Sequence, residues 1–530
     1  MLSIRAGWFP RWRVPAAVGA GALPALAFPA PALWWFAYVA LVPWMLLLRS
    51  APTRRRGALE GWLGGAGFIL AVHHWLLPSM HVFLLPVAAL LGLLWIPWAL
   101  LVREFLGGSP SPRRAAAALV LVPAGWLFSE LVRSWQGLGG PWGLLGASQW
   151  QVPPALRLAS VGGVWLVSLL VVAVNCAAVL LIAVPSARIP AVAGVTGCAV
   201  LTGAVWLWAP RPSAAGGLRV AVVQPGVMPA DTGGSAGTDG SGSAERRFAT
   251  GERLTRTVAG QRVDLVVWGE SSVGEDLTAR PDLARRLAAL SAEVGAPLLV
   301  NVDARRSDRP GIHKSAVLVG PTGVTGERYD KMRLVPFGEY VPARELLGWA
   351  TSVGKAASED RVPGKTPVVM DLPVRPDGRP GVRVGPLVCF ESAFPDMSRH
   401  LTRGGAALLV AQSATSTFQD SWAPAQHASL AALRAAENGR PMVHATLTGV
   451  SVVHGPSGER VGPALPTSAS TAQVYEVPLA RGTTLYVRFG DWPVGAALLA
   501  LAAYCVAAGV RSLRKPAPEP SPPPARTARG

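Results

Sequence analysis

Charged residues are scarce in this chain. Only 15% of its 530 residues are Asp, Glu, Lys or Arg, whereas an ordinary soluble domain has about 25%. Half of the residues are hydrophobic and the mean hydropathy is +0.34. A disordered protein and a plain cytosolic enzyme are both excluded, because each exposes more polar surface than this composition supplies. The chain is expected to lie largely in lipid.

Cysteine is scarce as well, with four residues at Cys176, Cys198, Cys389 and Cys505. Three of them fall within long apolar runs, which leaves Cys389 without a disulfide partner in its own part of the chain. A lone cysteine on a buried strand is most often a small core residue. Its neighbours in the sequence must therefore decide whether it has a chemical role.

Long apolar runs, in contrast, are abundant. Eight have roughly the 20 residues that span a bilayer as a helix, at 14–28, 32–49, 61–79, 82–102, 115–132, 160–185, 190–209 and 493–510. The first two form either a tight hairpin or one re-entrant segment, because only 29–31 separates them. A cleaved signal peptide is the alternative for the first run, but no small-residue cleavage site leads into a soluble domain there.

These runs divide the chain into parts. We expect a transmembrane domain of about seven spans over 1–209 and a C-terminal transmembrane helix over 493–511. Residues 210–492 would form a separate domain outside the bilayer. The Pro-rich segment 512–530 is predicted to be a disordered tail.

The net charge of +18 is concentrated beside the apolar runs. If all eight runs span, the arginines that follow the second, fourth, sixth and eighth runs lie on one side of the membrane. The positive-inside rule makes that side the cytoplasm. Both termini are then cytoplasmic and 210–492 is extracytoplasmic. Nucleic acid is not an expected partner, because its binding would need a basic face on a folded domain.

One segment of the membrane half, 133–156, is too rich in Gly, Pro and Trp for a span and too apolar for water. Its tryptophans, Trp135, Trp142 and Trp150, are expected at the level of the lipid headgroups. An ordinary packed loop is an equal alternative.

Beyond residue 210 the pattern changes to short apolar runs separated by Gly, Pro and Asp. Strands are predicted at 218–224, 264–268, 297–302, 315–319, 368–371, 382–390, 406–412, 441–446, 450–454 and 473–477. Helix patterns lie between several of them, for example at 279–294 and 424–437. Strands that alternate with helices predict one layered α/β domain. The segment 231–245 is predicted to be a flexible surface loop.

Three polar residues follow predicted strands of this domain. Cys389 ends one strand and precedes Glu391, so it could act as a nucleophile at a strand-to-helix turn, where backbone N–H groups form an oxyanion hole. Glu270 has the same setting in DLVVWGE, and Lys331 follows a turn in RYDKMRLVPFGEYVP. Taken singly, each has an ordinary structural explanation: a core cysteine, a helix cap or a solvated charge.

Taken together, three motifs resemble the Glu-Lys-Cys signature of the nitrilase superfamily. They are W-G-E-S at 268–271, Y-D-K-x-R-L-V-P-F-G-E-Y-V-P at 329–342 and C-F-E at 389–391. Set between several N-terminal spans and one C-terminal span, they are similar to the apolipoprotein N-acyltransferase family over essentially the whole chain. The L-V-P-F-G-E piece at 334–339 is the most diagnostic. Arg333, the 414–418 stretch and Thr448 depart from the usual family pattern.

The resemblance implies a multi-span α-helical membrane domain plus an extracytoplasmic α/β domain built as an αββα nitrilase-like sandwich, in a bacterial inner membrane. Its implied catalytic residues are Glu270, Lys331 and Cys389. Glu339, Glu391 and the backbone N–H of Phe390 would support them, with no cofactor and no metal. The implied reaction carries a phospholipid acyl chain, through a Cys389 thioester, to the N-terminal diacylglyceryl-cysteine of apolipoproteins. A base in such a site is expected to have a raised pKa, here that of Glu270.

The sequence is also compatible with two other functions. A membrane-tethered nitrilase or amidase would use the same three groups to hydrolyse a small C–N substrate. A non-catalytic scaffold for a polyprenol-phosphate mannose synthase would not need them. If the chain is an acyltransferase, its expected partners are a membrane phospholipid, diacylglyceryl apolipoproteins and the bilayer itself.

Overall fold

The computed structural model describes residues 11–226, 240–348, 359–375 and 378–513. Helices joined by short loops make up residues 13–208, a further helix covers Trp492–Leu513, and the chain between them is an α/β domain. The predicted tail at 512–530 lies outside the described residues from 514 onward.

The N-terminal part is a bundle of helices. Its α-helices are Arg13–Ala22, Val42–Arg49, Arg54–Val72, Leu77–Met80, Leu84–Gly92, Ile96–Leu106, Pro112–Arg133, Pro153–Ala183 and Arg188–Trp208. Short 3-10 helices connect several of them. In the described part of the chain, five helical stretches are long and apolar enough to cross a membrane: His74–Leu106, Pro112–Arg133, Pro153–Ala183, Pro185–Trp208 and Trp492–Leu513.

The first third of the bundle differs from the predicted runs. The runs 14–28 and 32–49 form shorter apolar stretches, Arg13–Ala27 and Trp34–Arg49. The predicted boundaries of the third run, 61–79, are wrong, because the helix covers Arg54–Val72. Thr53 sets its start by accepting a hydrogen bond from the Arg56 backbone N–H. The count of eight spans stays a prediction.

A buried ion pair explains how this helix carries charge inside the bundle. Glu60 is fully buried, and its Oε1 accepts from Arg13 Nε and from Arg56 Nε, each over 2.7 Å. Two guanidinium partners compensate the carboxylate that burial would otherwise make costly. The positive charges of Arg13 and Arg56 therefore allow Glu60 to lie inside the bundle.

The α/β domain has two mixed sheets. Its strands are β1 Ser213–Gln224, β2 Leu265–Trp268, β3 Leu298–Arg305, β4 Ile312–Gly320, β5 Gly323–Asp330, β6 Met370–Asp371, β7 Arg383–Val388, β8 Leu408–Ser413, β9 Met442–Thr446, β10 Val452–His454 and β11 Thr471–Arg481. The first sheet has the order β11-β1-β2-β3-β4-β5 and the second has the order β10-β9-β8-β7-β6.

Helices cover the outer face of each sheet. Gly240–Arg256 and Pro281–Val294 pack on the first sheet. Pro395–Arg403 and Ala423–Asn438 pack on the second sheet, in the same core cluster as the membrane helices. A separate apolar core joins the facing sides of the two sheets. The layer order is helix, sheet, sheet, helix, which confirms the αββα sandwich. The short helices Arg344–Leu347 and Leu485–Phe489 complete the domain.

All ten predicted strands are present, but β5 was not predicted. Its sequence GVTGERYD lacks an apolar alternation because β5 is an edge strand of the first sheet, with much of its surface in solvent. The predicted strand 382–390 is too long, since β7 ends at Val388. The loop predicted at 231–245 lies outside the described residues up to 239, and from Gly240 the chain is helical.

The 133–156 segment is mainly a packed loop. Trp142 is only 8% exposed, and its indole Nε1 donates to Gln426 Oε1 of the α/β domain over 2.8 Å. Trp142 therefore packs against protein, as expected of an ordinary packed loop, and a protein acceptor satisfies its N–H. The headgroup-level position of the three tryptophans stays a prediction. Trp135, in contrast, is 68% exposed.

Direct hydrogen bonds join the membrane bundle to the α/β domain. The helix Pro153–Ala183 is kinked at Gly162 and Gly163, and Gly163 has a φ of 67°. This kink frees the Val164 backbone N–H, which donates to Glu437 Oε1 over 2.8 Å. Glycine suits the position because a left-handed φ disfavours residues that carry a Cβ. The second helix layer of the sandwich is thereby fixed to the membrane part.

Candidate active site

Glu270 lies two residues beyond the end of β2. Its backbone N–H donates to the Ser413 carbonyl over 3.1 Å, which ties this turn to the second sheet. Gly269 leaves no room for a side chain, since a Cβ there would lie 1.9 Å from the Leu447 backbone nitrogen. Glu270 itself is 3% exposed. The Glu270 carboxylate therefore lies in the domain interior, where the two sheets approach each other closely.

Two lysines contact this carboxylate. Lys314 Nζ lies 2.8 Å from Glu270 Oε1, and Lys331 Nζ lies 3.3 Å from the same oxygen. Lys331 also donates to Glu339 Oε1 over 2.7 Å, and Lys314 Nζ lies 3.1 Å from that oxygen. The structure therefore brings the predicted Glu270, Lys331 and Glu339 into direct contact.

Glu339 is held by its own turn. Its Oε2 accepts from the Val335 backbone N–H over 2.8 Å, and its backbone N–H donates to the Val335 carbonyl over 2.9 Å. Phe337, within this turn, has a φ of 63°. The diagnostic segment 334–339 thus forms a closed loop that returns a carboxylate to Lys331.

Cys389 occupies a strained turn at the end of β7. Its φ is 51°, a left-handed conformation that is unfavourable for a residue other than glycine. It begins the 3-10 helix Cys389–Ala393. Ser392 Oγ donates to its carbonyl over 2.9 Å, and His427 Nε2 lies 3.1 Å from the same oxygen. A strained backbone conformation persists only where the surrounding structure holds it, and such conformations are common at functional sites.

Glu391 connects the Cys389 turn with the segment that carries Lys331. Glu391 Oε2 accepts from the Val388 backbone N–H over 2.8 Å. Its Oε1 accepts from Tyr329 Oη over 2.6 Å and from the Met332 backbone N–H over 2.7 Å. One fully buried carboxylate therefore bonds to the chain on both sides of Lys331 and directly before Cys389.

Electrostatics at the site set the resting protonation states. Burial and the Glu270 carboxylate raise the pKa of the Cys389 thiol to about 12, with Lys331 opposing them. Burial favours the neutral form of Glu270, but the ammonium groups of Lys314 and Lys331 outweigh it and lower the Glu270 pKa. The expected raised pKa of Glu270 is therefore wrong. At neutral pH the site holds a carboxylate next to a protonated thiol.

Lys314 is the residue of this site that sequence reasoning missed. It lies on β4, two and four residues before Ala316 and Leu318, which both face the core between the two sheets. Residues two apart on a strand share a face. A lysine in step with inward-facing apolar residues was the available signal, and it indicated a charge inside the sandwich.

The Cys389 turn lies against the membrane part. Phe390 is 7% exposed, and its ring lies 4.9 Å from that of Phe394 in an edge-on arrangement. A Cβ on Gly140, in the 133–156 loop, would lie 2.6 Å from the Phe390 ring. The candidate nucleophile is therefore adjacent to the loop that joins two membrane helices.

The positions that depart from the family pattern also have contacts. Arg333 forms an ion pair with Asp396 and stacks over the Phe394 ring at 4.1 Å. Phe418 packs edge-on against Trp75 of the membrane part at 5.0 Å. Phe418 therefore supplies an aromatic contact between the two parts of the molecule.

Two family models match this chain. The carbon-nitrogen hydrolase model matches residues 219–485, and the apolipoprotein N-acyltransferase N-terminal domain model matches residues 20–177. The fold and the first match define a membrane-bound member of the carbon-nitrogen hydrolase class. An apolipoprotein N-acyltransferase of Geobacter metallireducens is 30% identical, over 93% of this chain and 96% of the relative. The chain belongs to the apolipoprotein N-acyltransferase family, and it is an acyltransferase of the bacterial inner membrane.

Another relative and a solved structure are also similar to this chain. An apolipoprotein N-acyltransferase of Azotobacter vinelandii is 32% identical, over 92% of this chain and 93% of the relative. A Nesterenkonia amidase of the nitrilase superfamily, with a solved structure, is 20% identical over 51% of this chain and 93% of its own, with a TM-score of 0.34. The alternative of a scaffold for a polyprenol-phosphate mannose synthase receives no support from these matches.

Proposed function

We propose that this protein moves an acyl chain from a membrane phospholipid to the α-amino group of the N-terminal diacylglyceryl-cysteine of apolipoproteins. The acyl chain is held in between as a thioester on Cys389. The observation that carries the proposal is the contact of Glu270, Lys331 and Glu339, whose charges act on the thiol of Cys389, a residue in a strained turn. Family membership supports the choice of lipoproteins as acceptors.

In the first half-reaction Glu270 takes the thiol proton while Cys389 Sγ attacks the ester carbonyl carbon. Lys331 and the Phe390 backbone N–H stabilise the oxyanion that forms. Removal of one such donor typically costs about 100- to 1,000-fold in rate. The carbon–oxygen bond of the ester then breaks, and Glu270 returns the proton to the departing lysophospholipid.

In the second half-reaction the acceptor amine attacks the thioester carbonyl carbon. Glu270 takes the proton of the amine, the carbon–sulfur bond breaks, and the sulfur of Cys389 recovers a proton from Glu270. Thioesters suit this relay because they react readily with amines. Free enzyme and amide-linked product remain.

The fold supports a location next to the bilayer. Both substrates carry acyl chains, and lifting them into water would cost about 0.8 kcal/mol per CH₂. The contact between Phe390 and the 133–156 loop supports a position of the Cys389 turn on the membrane side of the domain. We propose that this domain is extracytoplasmic and that both termini are cytoplasmic, as the positive residues beside the apolar runs indicate.

The test is mass spectrometry of the full-length protein in liposomes that contain a phosphatidylethanolamine with one labelled acyl chain. Without acceptor we expect a labelled adduct on Cys389, and with a diacylglyceryl-cysteine peptide we expect the label on its α-amino group. Cys389→Ala should abolish both. Cys505→Ser is the matched control, because that cysteine is exposed on the C-terminal helix and should not affect either step.

Two results would contradict the proposal. Labelled peptide formed by Cys389→Ala would exclude the thioester. Free labelled fatty acid released at the same rate with and without acceptor would identify a phospholipid hydrolase instead of an acyltransferase.

A further inference from the structure

Four charged groups form a closed cluster at the candidate active site. Lys314 and Lys331 each contact both Glu270 and Glu339. Each lysine lies closer to a different one of the two carboxylates. Lys314 is closer to Glu270 than to Glu339, at 2.8 against 3.1 Å, whereas Lys331 is closer to Glu339 than to Glu270, at 2.7 against 3.3 Å. The two lysines thus divide the two carboxylates between them.

The backbone fixes the two lysines relative to each other. The Lys331 backbone N–H donates to the Lys314 carbonyl over 2.8 Å. Lys314 belongs to β4, and Lys331 directly follows β5, the neighbouring strand. The spacing of the ammonium groups is therefore set by a sheet rather than by flexible loops.

Charges beyond the cluster are also compensated. Lys314 Nζ lies 3.6 Å from Asp303 Oδ2. Asp303 accepts from Ser271 Oγ over 3.2 Å and pairs with Arg361 at 3.4 Å. Among the described residues, the other groups that face Glu270 are the Cys389 thiol and His427, whose pKa burial lowers to about 4, so that it is neutral at pH 7. Within that part of the chain, Lys314 and Lys331 are therefore the cations that act on Glu270.

Counting charge shows what Lys314 contributes. Glu270 and Glu339 are 3% and 5% exposed. Two such carboxylates with a single ammonium would leave an uncompensated negative charge in the interior, which proteins avoid by binding a proton. A protonated Glu270 could not accept the proton of a thiol. The second lysine permits both carboxylates to remain ionised.

We propose that Lys314 is a positioning residue of the acyl-transfer reaction: it holds Glu270 ionised and oriented, which leaves Lys331 to bind Glu339 and the acyl oxyanion. This inference rests on the proposed function, since it assigns Glu270 the role of base. The two lysines are then not interchangeable, although both touch the same carboxylates.

The experiment follows the formation of the Cys389 acyl-enzyme in a single turnover across pH 4 to 9, with the full-length protein in phospholipid vesicles. The rate is expected to fall at low pH as Glu270 becomes protonated, and we call this fall the acidic limb of the pH–rate profile. In Lys314→Met we expect its midpoint to move upward by about one to three pH units, because one opposite charge within contact distance usually lowers a carboxyl pKa by that amount. Lys314→Arg should restore the limb. Lys314→Gln should behave like the Met variant, because it donates a hydrogen bond without carrying charge.

Lys365→Met is the matched control, since it is the same chemical change at an exposed lysine outside the site. It should leave the limb in place. An acidic limb that is the same in the wild type, Lys314→Met and Lys314→Gln would overturn the proposal. If Lys314→Met fails to fold, as judged by its thermal melting in detergent, the Gln variant carries the comparison.

A second measurement is independent of the lipid reaction. Iodoacetamide alkylates the Cys389 thiolate, and the modified peptide can be quantified by mass spectrometry. Lys314 lowers the pKa of the Cys389 thiol, so at pH 9 Lys314→Met and Lys314→Gln should alkylate about three- to tenfold more slowly than the wild type, where one pKa unit is a factor of ten.

The two measurements separate the possible failures. Slower alkylation in both variants, with no acyl-enzyme even in the wild type, would contradict the proposed function but keep Lys314 as a charge partner of the site. Unchanged alkylation together with an unmoved acidic limb would exclude Lys314 from both roles.

Discussion

At the scale of single residues, Glu391 shows how a buried carboxylate can hold the turn of the candidate nucleophile Cys389 in place. Its two oxygens accept hydrogen bonds from the backbone before Cys389 and from Tyr329 and Met332 on either side of Lys331. These bonds join two segments that meet only in the folded protein. The family resemblance assigned Glu391 a supporting role, and these contacts give that role a physical basis.

Replacing Glu391 by Gln should therefore weaken the connection between the Cys389 turn and the segment that carries Lys331. A Gln side chain has one acceptor oxygen, so either the Val388 N–H or the donors around Lys331 lose their partner. A buried donor left unpaired costs about 1–3 kcal/mol, and a misplaced nucleophile costs on the order of 100-fold in rate. We expect a lower melting temperature in detergent and about 100-fold slower formation of the acyl-enzyme.

The control for this variant is Glu275→Gln, which changes an exposed carboxylate away from the site. It should alter neither the melting temperature nor the rate. A Glu391→Gln protein with the wild-type acylation rate would show that the turn keeps its shape without this carboxylate.

At the scale of elements, the candidate catalytic groups all lie at the ends of strands. Glu270 follows β2, Lys331 follows β5 and Cys389 follows β7. The first two belong to one sheet and the third to the other. The site therefore depends on how closely the two sheets approach. Gly269 lies where the turn after β2 meets the end of β9, since a Cβ on it would lie 1.9 Å from the Leu447 nitrogen.

Gly269→Ala should consequently disturb the site without changing any charge. Its Cβ would lie within 2.4 Å of two backbone atoms, Leu447 N and Thr446 C, so the turn after β2 must move. Forced overpacking typically costs about 1–3 kcal/mol, and displacement of Glu270 should slow acyl-enzyme formation on the order of 100-fold.

Gly217→Ala serves as the comparison, because a Cβ there meets only the Val477 carbonyl, at an ordinary 3.7 Å. We expect its melting temperature and acylation rate to stay near those of the wild type. Equal behaviour of the two alanine variants would mean that the sheets tolerate a wider separation than the structure shows.

At the scale of the whole molecule, the membrane part and the α/β domain share a core and hydrogen bonds rather than a flexible linker. Val164 donates to Glu437, and Trp142 donates to Gln426. Both bonds cross from the bundle to the helix Ala423–Asn438, which packs on the second sheet. The orientation of the bundle in the bilayer therefore also fixes which side of the membrane the candidate site faces.

The proposed orientation can be tested by labelling single cysteines with a membrane-impermeant maleimide in intact spheroplasts, with the four native cysteines replaced by alanine. A cysteine at Thr322, exposed in the turn between β4 and β5, should react completely. One at Arg55, exposed at the start of the helix Arg54–Val72, should react only after permeabilisation, because the positive-inside rule places it in the cytoplasm. The reverse pattern would contradict the topology.

Much of this architecture follows from the sequence because the determining signals are local. Apolar runs, strand alternation and the three motifs predict the layered domain, ten of its strands and the candidate residues Glu270, Lys331 and Cys389. The polar edge strand β5 gave no such signal. The start of the helix Arg54–Val72 also escaped prediction, because a buried ion pair with Arg13 compensates its charge.

Only the tertiary structure decided the protonation of the site. Lys314 is 44 positions from Glu270 in the sequence, and its strand brings its ammonium group within 2.8 Å of that carboxylate. Sequence reasoning therefore expected burial to raise the pKa of Glu270, whereas two lysines lower it. The pKa of a buried group depends on the charges that surround it in space, and those are set by the pairing of strands far apart along the chain.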